Sequence, residues 1–147
     1  MANGEAGWVT ASIGASGFRT ELSAAGETFI ADEPVSVGGT ATGPTPYDYM
    51  LAALGACTVM TLRIYADRKK WPLEGASVML RTSHSHEKDC ESCAEEDVDS
   101  GRIERKLTLD GPLTDEQRVR LNQIADRCPV KQTLERGIRV VAAAEVP

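Results

Sequence analysis

The chain lacks a long apolar run. Its longest uncharged stretch, Tyr49 to Leu62, falls short of the ~20 residues that a helix needs to span hydrocarbon. The expectation is a buried core helix instead. The start, Met1-Ala2-Asn3-Gly4-Glu5, has neither the basic residues nor the apolar stretch of a secretory signal. A cytoplasmic location follows as the expectation, and there thiols are kept reduced. Basic runs are equally scarce: none is longer than Arg68-Lys69-Lys70, and the net charge is -6. That excludes the electrostatic footprint of a protein that grips nucleic acid or an anionic membrane. There is no internal repeat and no low-complexity tract. With 147 residues, 41% hydrophobic and 26% charged, the chain has an ordinary globular composition and reads as one domain, residues 1–147.

What is present changes character along the chain. Short β-type runs, Trp8 to Ile13, Phe18 to Leu22 and Thr28 to Ala31, alternate with turns marked by Gly14, Gly17 and Gly26. A loop of small residues, Gly38 to Pro46, follows. Thr45-Pro46 then fits a helix start, with Pro at the first position. From Pro46 to about Lys70 the apolar residues Tyr47, Met50, Leu51, Leu54, Cys57, Thr58, Thr61 and Tyr65 recur at steps of three and four. The remaining side is mostly Ala and Gly, so the spacing predicts a helix enclosed nearly all round. Arg68, Lys69 and Lys70 suit its negative end, and Trp71-Pro72 closes it. Ala76 to Thr82 and Ile103 to Leu109 read as strands. Thr114-Asp115-Glu116-Gln117 fits a capping box, opening a helix with Leu121, Ile124, Ala125 and Cys128 on one face. Pro129 interrupts it, Val130 to Arg136 makes a further turn or two, and Gly137 is the exit. Ile138 to Ala142 is expected to form a last strand. Strands, long helix, strands, helix and strand make an α+β chain.

Four cysteines in a reducing compartment point to catalysis, metal binding or inert burial rather than to a disulfide framework. Cys57 lies mid-helix among apolar neighbours, where a free cysteine is often a small hydrophobe with a raised pKa. A reactive thiolate there needs a positive neighbour. Arg19 is the only Lys or Arg in the first 62 residues; it is either a placed charge or a surface residue of an edge strand. Cys128 precedes Pro129, which puts it at a helix cap, where free N–H groups and the dipole favour a thiolate. A core cysteine at a helix junction is the plainer reading. The residues permit a thiol pair without requiring one.

Together, several motifs resemble the OsmC/Ohr family, the osmotically inducible and organic hydroperoxide resistance proteins. They are Gly38-Gly39, Gly43-Pro44-Thr45-Pro46-Tyr47-Asp48, Leu51-Ala52-Ala53-Leu54-Gly55-Ala56-Cys57-Thr58 and Cys128-Pro129-Val130. The likeness runs from about Trp8 to Val141, and the order and separation of the motifs carry it. It implies an OsmC-like fold, an intertwined homodimer, and a thiol-dependent peroxidase acting on organic hydroperoxides without a required cofactor. The resemblance makes Cys57 the peroxidatic thiol and Cys128 the resolving thiol. Arg19 becomes the arginine that polarises Cys57. A dithiol or lipoylated partner becomes the reductant. In the family a glutamate at the start of the central helix holds the arginine. Here Tyr47 stands ten positions before Cys57, and Asp48 is the neighbouring carboxylate. Lys131, after Cys-Pro-Val, stands where many relatives have His.

A second cluster, His84-Ser85-His86-Glu87-Lys88-Asp89-Cys90-Glu91-Ser92-Cys93, holds both histidines and the other two cysteines. His84, His86, Cys90 and Cys93 supply the donor types of tetrahedral zinc, and two histidines two apart on a strand would face the same way. A redox-active Cys90–Cys93 pair and a solvated acidic loop fit the same residues. The alternatives to an enzyme are therefore a zinc-binding or redox-sensing module, and a relative that binds a small apolar ligand without turnover.

Overall fold

A computed structural model describes residues 7–83 and 101–143. Its elements are β1 (Thr10–Ile13), β2 (Thr20–Ala24), β3 (Glu27–Ala31), a 3-10 turn at Val35–Val37, α1 (Pro46–Lys69), β4 (Gly75–Thr82), β5 (Ile103–Asp110), α2 (Asp115–Ala125) and α3 (Pro129–Arg136). The α+β class expected from the sequence holds. The chain forms two compact units, Met1–Leu51 with Thr82–Arg102, and Ala52–Arg81 with Ile103–Pro147.

In the first unit β1, β2 and β3 form an antiparallel sheet in that order. Ala25 and Gly26 join β2 to β3 with φ of 53° and 81°, the positive pair that a two-residue hairpin turn needs to match strand twist. After β3 the chain folds closely onto itself. A side-chain carbon on Gly39 would lie 1.9 Å from the Glu33 carbonyl oxygen, and one on Gly43 would lie 2.4 Å from that of Ile30. Only glycine permits this approach. Buried Asp32 holds the loop: its carboxylate accepts the Thr40 and Thr42 hydroxyls, each at 2.6 Å, and the N–H groups of Glu33 (2.7 Å), Thr42 (3.1 Å) and Thr40 (3.4 Å). Those donors hold the Asp32 carboxyl well below the usual carboxylate range, the two hydroxyls contributing most. The first turn of α1 is capped reciprocally, Thr45 N–H donating to Asp48 at 2.9 Å and Asp48 N–H to the Thr45 hydroxyl at 3.2 Å. The Tyr49 hydroxyl bonds the Ile30 carbonyl.

In the second unit the core consists of Leu62, Ala66, Leu73, Leu121, Ile124 and Ala125, with Tyr65, Trp71, Ala76, Leu107, Leu109 and Leu113 packed against it. α1 buries Leu54, Thr58, Leu62 and Ala66, one residue every four, a single face of the helix. The enclosure expected all round is not found. Ala53, Ala56, Met60 and Ile64 are exposed, because β4, β5 and α2 cover one face only. By length and composition alone α1 would suffice to cross a membrane, yet its Leu62 and Ala66 are fully buried in this core. α1 ends in a Schellman motif. Lys70 takes φ 56°, its N–H bonds the Asp67 carbonyl at 3.1 Å, and Trp71 N–H reaches the Ala66 carbonyl at 2.9 Å.

The capping box at the start of α2 forms as the sequence predicts, Thr114 and Gln117 satisfying each other's backbone N–H. α2 stops at Ala125, short of Cys128. Asp126, Arg127 and Cys128 each donate three residues back, at 3.2, 2.9 and 3.4 Å, a tightened turn that replaces the helical spacing. The last expected strand is absent: residues 138–142 carry no strand pairing. Ile138, Val140 and Val141 are exposed, and among the described residues no strand lies beside them to accept a ladder.

Candidate active site

Cys57 and Cys128 come together in the second unit. Cys57 sits on α1 and is half-buried; Cys128 is completely buried. Cys128 is the N-cap of α3 and Pro129 its first residue, the place the Cys-Pro step predicts. The fixed φ of Pro suits a first turn, and its missing N–H would have had no partner. The Gln132 N–H closes that turn on the Cys128 carbonyl at 3.1 Å.

The two thiols are unequal. Burial pushes Cys57 up first, and its thiol proton directed at Cys128 pushes it further; the Val130 N–H and the Thr61 hydroxyl only partly oppose this. Burial also pushes Cys128 up, but there the opposing groups win. The Cys57 thiol, the Lys131 N–H, the Thr58 hydroxyl and the Val130 N–H together leave it below the ordinary thiol value. Cys128 makes no short capping bond of the Ser or Thr kind. Its charge is favoured instead by the free N–H groups at the second and third positions of α3. Thiol and thiolate sulfur are weak hydrogen-bonding partners, so position near several donors counts for more than any single bond.

The Lys131 ammonium is committed elsewhere, 2.7 Å from Glu135 and 4.0 Å from Asp126. Asp126 also takes the Arg105 guanidinium at 2.9 Å. It is therefore the backbone of Lys131 that acts on Cys128. Two hydroxyls beside the cysteines, which the sequence reading placed on the helix stripe without a role, also carry weight. Thr58 is fully buried and donates to the Leu54 carbonyl at 2.8 Å; Thr61 donates to the Cys57 carbonyl at 2.7 Å. Their signal in the sequence was spacing alone: Thr58 adjoins Cys57, and Thr61 follows it by one turn.

Arg19 and Asp48 belong to the first unit. Arg19 is exposed just before β2, and among the described residues no ion pair joins it to a carboxylate. The Asp48 carboxylate is occupied by the Thr45 N–H. Asp32, whose carboxylate organises the glycine loop, carried no signal beyond following a strand. His84, His86, Cys90 and Cys93 lie outside the described residues, and among the described residues no group of three or more potential ligands could hold a metal.

The OsmC-like protein family matches residues 39–142, a span that contains both cysteines and all of α1. The chain belongs to the OsmC-like family. Solved structures similar to this OsmC-like chain include an OsmC-like protein from Mycoplasma pneumoniae, with a TM-score of 0.69 and 19% identity, covering 86% of this chain and 85% of that one. Another is a protein from Legionella pneumophila described as an organic hydroperoxide resistance protein OsmC, with a TM-score of 0.61, 18% identity, and coverage of 86% and 87%. At such identities the likeness is one of fold. A comparison with curated proteins found no match.

Proposed function

We propose that this OsmC-like chain is a thiol peroxidase that reduces organic hydroperoxides. The observation that carries the reading is the meeting of half-exposed Cys57 with buried Cys128 at the start of α3. A peroxide can reach the first sulfur from solvent, while the second waits behind it. The Legionella relative described as an organic hydroperoxide resistance protein supports the substrate class.

The chemistry balances on the chain's own thiols. The Cys57 sulfur, having given up its proton, attacks the terminal oxygen of ROOH. The O–O bond breaks, Cys57 becomes a sulfenic acid, and RO⁻ takes a proton and leaves as the alcohol. The Cys128 thiolate then attacks the Cys57 sulfur. Hydroxide leaves and is protonated to water, and a Cys57–Cys128 disulfide remains. Two electrons from an external dithiol or lipoylated partner restore both thiols by exchange. No resident cofactor enters any step. On the family resemblance alone, Arg19 is assigned as the charge that favours the Cys57 thiolate and Asp48, whose carboxylate already takes the Thr45 N–H, as the residue that orients it. The protein acts in the cytoplasm as a homodimer. Exposed Trp8, Ile13 and Phe18 beside the N-terminal sheet, and Ile138, Val140 and Val141 in the C-terminal segment, are apolar surface that a second copy would cover.

The test is one equivalent of an alkyl hydroperoxide added to reduced protein, with the products mapped by mass spectrometry. A Cys57–Cys128 disulfide and one equivalent of alcohol are expected, together with turnover when a dithiol is supplied. Turnover retained by Cys57→Ser, or oxidised protein without that bridge, would end the proposal.

A further inference from the structure

We propose that Arg105 is a positioning residue for the resolving thiol: it anchors the turn between α2 and α3 so that the Cys128 sulfur meets the Cys57 sulfenic acid before a second peroxide does. This rests on the peroxidase reading above and assigns a residue of β5 to the second half of that reaction.

Arg105 departs from the pattern of its strand. Leu107 and Leu109, two and four positions on, pack against the core, and residues two apart on a strand share a face. Arg105 thus stands on the apolar row of β5, and its side chain is only 22% exposed. A charge drawn out of water is costly, and it is held where specific partners offset the loss.

Those partners lie at the end of α2. One guanidinium N–H donates to the Ala125 carbonyl at 3.3 Å and another to the Asp126 carboxylate at 2.9 Å. The last carbonyls of a helix have no partner within it, and a cation is favoured at that end. The carbonyl that Arg105 takes is also the acceptor of the Cys128 N–H, at 3.4 Å. Arg105 and the Cys128 backbone therefore meet on one oxygen, and Ala125 and Cys128 are both fully buried. Asp126 extends the anchor beyond the cysteine, with the Lys131 ammonium of α3 at 4.0 Å. A cysteine side chain turns about a single bond between staggered positions, so the backbone of this turn decides where the buried sulfur points. The planar guanidinium makes both bonds at once, which the single ammonium of a lysine does not.

The step at stake is a competition. With Cys128 in place, its sulfur attacks the Cys57 sulfenic acid, the S–S bond forms and water leaves. With Cys128 displaced, a second hydroperoxide oxidises the waiting sulfenic acid to a sulfinic acid and departs as the alcohol. Misplacement slows the intramolecular attack and leaves the encounter with free peroxide as it was.

The test cycles the full chain with an alkyl hydroperoxide and excess dithiol, and counts by mass spectrometry the share of Cys57 that becomes sulfinic acid per turnover. Arg105→Met, which keeps the apolar stem, should raise that share about tenfold while the first oxidation of Cys57 keeps its rate. Arg105→Lys restores the charge beside Asp126 and should recover part of the loss. A merely structural arginine would lower the unfolding free energy without moving the share. An unchanged share in Arg105→Met, or an equal slowing of both steps, overturns the proposal. If Arg105→Met does not fold, Asp126→Asn, at a side chain 58% exposed, decides in the same way. Equilibration with reduced and oxidised glutathione gives a second readout that needs no peroxide. The effective concentration of Cys128 toward Cys57 should fall about tenfold in Arg105→Met. If the wild type turns over no peroxide, the peroxidase reading falls, and this equilibrium alone upholds or overturns the positioning role.

Discussion

Gly55 stands two residues before Cys57 and faces β4. A methyl group on it would lie 3.1 Å from Leu80 Cδ1 and 3.5 Å from Val78 Cγ1. Carbon atoms are most comfortable at about 3.5–4.0 Å, so one contact is short by about half an ångström and the other is already normal. Leu80 is half-buried, and turning its tip aside costs about 0.5–1.5 kcal/mol. Replacing Gly by Ala within a helix returns about 1 kcal/mol. These nearly cancel, and Gly55→Ala is expected to change the unfolding free energy by less than about 1 kcal/mol. Gly55→Val differs in kind. Its two added γ carbons point into the same space, and overpacking of about 1–3 kcal/mol exceeds the few tenths that Val gains over Gly in a helix. A net loss of about 2 kcal/mol, or about 6–8 °C in Tm for a chain of this size, is expected. Urea denaturation of the reduced protein followed by far-UV circular dichroism, with the m-value checked for constancy, measures both variants. Val at Gly55 as stable as wild type would refute the close packing of α1 on β4. A loss above about 3 kcal/mol for Gly55→Ala would instead refute the expectation that the Leu80 tip can turn aside.

Asp32→Asn should loosen the loop between β3 and α1, since an amide offers one accepting oxygen in place of two. Because the folded carboxyl is held below its ordinary value of 3.8, its contribution is complete above the unfolded value and is lost as pH falls through the lower folded one. The stability gap between wild type and Asp32→Asn should therefore be level above about pH 5 and narrow in acid; a gap that widens toward low pH would contradict the sign. Leu121→Ala, at a fully buried core position, should cost about 2–5 kcal/mol in the same denaturation assay. Thr114→Ala breaks the capping box of α2 and should cost about 1 kcal/mol. A cost near zero would mean that tertiary contacts alone hold that helix start.

Much of the fold was legible because its signals are local. Proline at the head of α1, the Thr114–Gln117 box and the Cys128-Pro129 junction are each settled by a few neighbouring residues, and each appears where expected. The pairing of Cys57 with Cys128 could not be reached from spacing, since seventy residues separate them and only the packing of α1 and α2 closes the distance. What failed was long-range. The run from Ile138 to Ala142 has the composition of a strand, but composition cannot supply a neighbouring edge. The apolar face of α1 around Met60 and Ile64 looked buried for the same reason: periodicity reports that a face is apolar, not that something covers it. Asp32 escaped notice because its partners, Thr40 and Thr42, lie beyond a turn whose shape depends on two glycines. The opposite directions in which the two thiols are pushed come from their nearness to each other and from backbone N–H groups, and neither leaves a trace in side-chain identity.

The Asp32 cradle also bears on how such a chain can change through descent. One carboxylate gathers five donors from Glu33, Thr40 and Thr42, so no member can be exchanged without stranding another. Loss of Asp32 removes the acceptor of both threonine hydroxyls, and loss of either threonine leaves a buried charge short of a donor. Effects within such a set are strongly non-additive. Exchange of threonine for serine, which keeps the donor, is the step open to either threonine alone. Glutamate at position 32 would push its oxygens past both hydroxyls. Drift in this loop should thus come as linked substitutions at 32, 40 and 42, while exposed Gly14 is free to vary singly.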